Sequence, residues 1–74
     1  MSDRLPVVSG GALVRVLARQ GWEVVRRRGS HVVLRHAASS NPLVVPLRRQ
    51  LERGTLLGIR RDAGIYRDEL RALP

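Results

Sequence analysis

A chain of 74 residues has room for one domain with a single small core, and the absence of cysteine excludes disulfide bracing and thiolate metal sites. Its 14 basic residues, all arginine, outnumber six acidic ones and give a formal charge of +8, which attracts nucleic acid or an acidic partner. No apolar run approaches the ~20 residues that span a bilayer and the N-terminus is polar, so a cytoplasmic chain is expected.

Met1 to Val8 reads as a lead-in kept extended by Pro6. Ser9 is a helix N-cap, the first helix runs from about Gly10 to Gln20, and Gly21 stands where a C-cap glycine belongs. Ala12, Leu13, Val16 and Leu17 share one face of it, and Arg15 and Arg19 share another.

Trp22 to Arg28 reads as the first strand, with Trp22, Val24 and Arg26 at one parity and Glu23, Val25 and Arg27 at the other. Trp22 suits a core anchor better than a base-stacking platform. Gly29-Ser30 makes a tight turn, and His31 to His36 follows as a strand built on Val32, Val33 and Leu34. Ala37 to Pro42 is a polar turn. Leu43 to Leu47 is a short third strand in which Pro46 suits a terminus or an edge.

Arg48 to Arg53 reads as a basic loop. Gly54-Thr55 opens the second helix with Thr55 as N-cap; Leu56, Ile59 and Ala63 are its buried stripe and Gly64 its end. Tyr66 to Leu73 adds a short terminal helical turn carrying Leu70 and Leu73. The order α-β-β-β-α predicts an α+β domain, two helices on one face of a three-stranded antiparallel sheet, with the other face open to a ligand or partner. One domain spans 1–74, with its core at about 8–65 and a short extension at 66–74.

The chemistry concentrates in Arg26-Arg27-Arg28-Gly29-Ser30-His31. Three guanidiniums lead into a turn that delivers a histidine to the start of a strand. A proton-transfer group beside phosphate-binding groups points to chemistry on a nucleic acid backbone. Alternation turns Arg27 away from Arg26 and Arg28, and Arg28, nearest the turn, is the favoured phosphate contact. Arg35 shares the parity of His31. His36 lies at opposite parity and roughly 16 Å away, so the two histidines cannot share one phosphate. The carboxylates are scattered, with Asp68-Glu69 near a terminus, and form no recognisable ligand set, so neither metal nor cofactor is expected.

Ser9-Gly10, Gly21-Trp22, Gly29-Ser30-His31, Val45-Pro46, Gly54-Thr55-Leu56 and Ala63-Gly64-Ile65 occur in an order and spacing that resemble the HicA (YcfA-like) toxin family of HicAB toxin–antitoxin systems. The resemblance covers about Val8 to Ile65. It implies a fold like the double-stranded-RNA-binding domain and a metal-independent mRNA interferase neutralised by a HicB-type antitoxin. It also implies His31 as the catalytic residue. The chain departs from the family pattern at two positions: Val32 stands where the family often has histidine or an aromatic, and Arg48 where it often has histidine. Arg48 can bind phosphate but cannot shuttle protons.

No cysteine or serine–base pair offers a nucleophile, whereas RNA supplies its own 2′-hydroxyl. His31 then acts as general base on that hydroxyl or as general acid on the departing 5′-oxygen, while a guanidinium stabilises the phosphorane. Arg26, Arg28, Ser30, Arg35 and Arg48 are the candidate RNA contacts. Tyr66 is a possible second proton-transfer group that the sequence does not bring near His31. Two other readings stay open: a non-catalytic RNA-binding module, and an inactive toxin that binds only its antitoxin through Leu47, Val33 or Val44 on the open sheet face.

Overall fold

A computed structural model describes residues 7–64. The turn expected at Tyr66 to Leu73 lies outside the described residues. The first helix, α1 (Gly10–Arg19), begins at Ser9, whose Oγ accepts the Ala12 N–H at 3.1 Å. Val8, just before the cap, and Leu13 join the same core cluster, the positions of a hydrophobic staple. At the other end Trp22 N–H donates to the Leu17 carbonyl and Gly21 N–H to the Ala18 carbonyl. These two bonds are a Schellman motif, and they turn the buried Trp22 back onto the helix it follows.

Three strands follow: β1 (Glu23–Arg28), β2 (His31–Arg35) and β3 (Leu43–Pro46). They form an antiparallel meander in the order β1-β2-β3. Val32 and Leu34 pair with Val45 and Leu43, and all four are buried against the helices. His31, Val33, Arg35, Val44 and Pro46 therefore face the other way. Along β1 every residue is exposed, because the helix layer covers β2 and β3 and stops short of this edge.

The strict alternation expected along β1 fails at one residue. Glu23 and Val24 pair with Arg35 and Leu34, but Arg26 pairs with Val33, so Val25 is an extra residue in a β-bulge. Trp22, Val24 and Arg26 consequently do not share a face. Val24 lies on the helix side, opposite Leu34, whereas Arg26 and Arg28 lie on the open side, opposite Val33 and His31.

The second helix, α2 (Arg53–Ala63), starts earlier than a Thr55 cap implies. Glu52 is its N-cap: its extended backbone accepts the Leu56 N–H at 2.9 Å, and its side chain makes no capping bond. Buried Leu51 and Leu56 supply the stabilisation a capping side chain would give, again in staple positions. Leu51 N–H also donates to the Val8 carbonyl at 2.9 Å, which ties the two helix entrances together. Gly64, with φ +70°, ends the helix.

Val8, Leu13, Val16, Leu17, Trp22, Val32, Leu34, Leu43, Val45, Leu51, Leu56 and Ile59 form one core. Each large member contributes about 1.5–3 kcal/mol by leaving water. The architecture is α+β, α-β-β-β-α, with both helices on one face of the sheet, the arrangement of a double-stranded-RNA-binding domain. Among the described residues no helix is long and apolar enough to cross a membrane.

Candidate nucleic-acid interface

The β1–β2 hairpin closes with only Gly29 and Ser30 between paired Arg28 and His31. Gly29 has φ +57° and no other residue of the turn has positive φ, the pattern of a type II′ turn, which needs glycine at its first central position. The Ser30 carbonyl is fixed by the Leu47 N–H at 2.6 Å, so the end of β3 braces the turn. His31 is thus held on a short, bonded hairpin with its side chain exposed.

The register arranges the open face in rows. Arg28, His31 and Pro46 form one row across the three strands; Arg26, Val33 and Val44 form the next; Glu23 and Arg35 pair in the last. Side chains directly opposite one another stand ~5 Å apart at Cβ, and rows on one face repeat about every 6.8 Å. Arg28 and His31 are therefore immediate neighbours, with Arg26 one row away and Arg35 two rows from His31. Among the described residues no ion pair neutralises Arg26, Arg28 or Arg35. The field over this face stays positive.

Arg27 pairs with Val32 on the helix side, and its Nε donates to the Gly29 carbonyl at 3.3 Å. Ser30 is exposed at the turn beside His31. Arg48 is occupied differently from Arg26 and Arg28. Its guanidinium donates to the Glu52 carboxylate at 3.1 Å in an exposed i,i+4 pair, and its carbonyl accepts the Gly10 N–H at 2.9 Å. An exposed pair of this kind exchanges readily with a phosphate. Leu47 does not lie on the open sheet face with Val33 and Val44; it packs partly buried against the core.

Val32 points into the core at 5% exposure, so that position does not reach the face that carries His31. His36 belongs to the other end of the sheet and has a structural task. Its Nε2 donates to the Gln20 carbonyl at 2.9 Å, its Nδ1 accepts the Ala38 N–H at 2.9 Å, and its ring lies 5.2 Å from that of Trp22. These two bonds use Nε2 as donor and Nδ1 as acceptor. They link the end of α1 to the end of β2, a task the sequence shows only as a histidine at a strand end. A cleft of about 410 Å³ lined by Trp22, His36, Ser39, Arg61, Asp62 and Gly64 opens at that end, and His31 is not part of it. The chemistry-bearing residues instead occupy an open surface, which suits an extended polymer better than a small enclosed ligand.

Nothing local in the sequence marks the place of Pro46 beside His31 or the pairing of Arg26 with Val33. A signal for an apolar residue on the open face was present: His31-Val32-Val33-Leu34-Arg35 carries apolar residues at both parities, more than one buried face requires. No curated protein matches the chain significantly. The family described as HicA toxin of bacterial toxin–antitoxin systems matches residues 11–65, which include α1 from its second residue, the sheet, the Gly29-Ser30 turn, His31 and α2. With that match over most of its length, the chain belongs to the HicA toxin family.

Proposed function

We propose that this HicA-family chain is an endoribonuclease that cuts mRNA with His31 as its proton-transfer residue and is neutralised by a HicB-type antitoxin. The observation that carries the reading is the cross-strand pair Arg28–His31 on an open face with no carboxylate partner for the arginine among the described residues. The 2′-hydroxyl attacks the adjacent phosphorus and the 5′-oxygen leaves, giving a 2′,3′-cyclic phosphate and a 5′-hydroxyl. His31 takes the proton from the attacking hydroxyl or gives one to the departing oxygen, a role worth about 10²–10⁴ in rate. Arg28 stabilises the charge that builds on the phosphorane. Arg26, Ser30, Arg35 and Arg48 hold the flanking backbone. DNA, without the 2′-hydroxyl, is not a substrate for this route.

An acidic antitoxin surface would answer the same guanidiniums and deny RNA the His31 face. The test is controlled expression of the wild type and of His31→Ala in a bacterial host, with protein levels and mRNA ends compared. Growth arrest with new mRNA ends from the wild type alone supports the reading. Equal arrest and cleavage by the variant removes His31 from the mechanism. RNA binding without cleavage by the intact protein leaves a binding module in its place.

A further inference from the structure

Two apolar side chains stand at the centre of the open face, outside the core cluster. Val33 and Val44 are cross-strand partners that point away from the helix layer; Val33 is half-buried and Val44 is 49% exposed. An antiparallel sheet with one solvated face normally presents polar residues outward. These two valines lie in the row next to His31, with Arg26 completing that row on β1.

We propose that Val33 and Val44 form the floor of a nucleobase subsite for the nucleotide flanking the scissile phosphate. The inference rests on the ribonuclease reading and adds to it where the base lies. One row, about 6.8 Å, separates this floor from the Arg28–His31 pair, a step that one nucleotide bridges from base to phosphate. A base laid on the valines loses apolar contact with water, and the planar guanidinium of Arg26 stacks beside it. Its own phosphate then reaches Arg28 and His31. The floor offers no hydrogen-bonding group, so the subsite accepts any base and favours single strands, whose bases are free to turn toward it.

The charge on this face argues against a second copy of the chain as occupant. Face to face, two copies would bring Arg26, Arg28 and Arg35 of each against those of the other with only Glu23 to offset them, on chains that each carry +8.

The test uses the full chain carrying His31→Ala, which binds without cutting. Its affinity is measured for a short single-stranded RNA and for an abasic ribose-phosphate chain of equal length. The base-bearing strand should bind about five-fold more tightly, the effect of removing roughly 40 Å² of apolar surface from water. Adding Val44→Ser should lower that ratio while leaving the affinity for the abasic chain and its salt dependence unchanged. Val33→Thr, which keeps the β-branch and the strand, should reduce the ratio in the same direction. Arg26→Ala should weaken both strands, the base-bearing one more, and lower the salt slope by about one. A ratio unaltered by Val44→Ser overturns the subsite, and so does equal binding of both strands; in either case continued dependence on Arg28 leaves the ribonuclease reading standing. Loss of affinity for an acidic partner protein, with RNA binding intact, would assign the valines to a protein instead. If the His31→Ala chain binds neither strand, subsite and ribonuclease reading fall together.

Discussion

Arg28 and His31 are cross-strand partners on the open face of the sheet, whereas Arg27, between Arg28 and Arg26, faces the helix side. Three consecutive arginines therefore have unequal tasks. Arg28→Ala should lower RNA cleavage by about 10²-fold, as loss of a charge-stabilising donor does elsewhere. Arg27→Ala should leave the rate nearly unchanged. Initial cleavage rates of the two folded variants decide this, and equal losses would contradict the facing given by the register.

The bulge at Val25 lets β1 keep Val24 on the helix side and Arg26 and Arg28 on the His31 face. Deleting Val25 removes the extra residue and leaves the pairs Val24–Leu34, Arg26–Val33 and Arg28–His31 available to a regular strand. The deletion variant should fold and cleave within a few-fold of the wild type. A large loss of cleavage with folding intact, followed by circular dichroism and rate assays, would mean that the bulge's local twist itself aims the arginines.

Gly10 and Gly11 look alike in sequence but not in the fold. A Cβ at Gly10 would overlap the Pro46 carbonyl oxygen and come within 2.9 Å of the Leu47 Cα, both backbone atoms that cannot step aside. At Gly11 an added Cβ meets nothing within 4 Å. Gly10→Ala should destabilise the domain by about 1–3 kcal/mol, and Gly11→Ala should be neutral or stabilise it by up to roughly 1 kcal/mol. Urea midpoints with unchanged slopes check both.

His36 holds the Gln20 carbonyl and the Ala38 N–H, at the far end of the strand that begins with His31. His36→Ala should cost about 1–2 kcal/mol of stability by leaving these groups to water. The cleavage rate of the folded fraction should not change. A variant of full stability but low activity would place His36 in the reaction and contradict its structural assignment.

Much of the fold was legible because local signals agreed with the packing. Ser9 caps α1, Gly21-Trp22 ends it, Gly29-Ser30 sets the hairpin, and the residues that alternate on β2 and β3 divide core from surface. The start of α2 was misread because its cap works through backbone and through Leu51–Leu56 packing, while Thr55 resembles a capping residue without acting as one. The bulge was invisible because every residue of β1 is exposed, so no burial pattern marks the slip. Arg26 and Arg28 could be grouped from parity alone; that they face His31 depends on pairing with β2. The bond between Leu47 and Ser30 and the contact of Gly10 with the end of β3 are long-range and leave no local trace.

The most direct measurement is the chemistry of the RNA ends left by the purified protein and by His31→Ala. The wild type should leave 2′,3′-cyclic phosphate and 5′-hydroxyl ends. A strand carrying a single 2′-deoxyribose at the cut should resist it, and the variant should lose about 10²–10⁴ in rate. Products with a 3′-hydroxyl and a 5′-phosphate, or undiminished cleavage by His31→Ala, would contradict a His31-assisted attack by the 2′-hydroxyl.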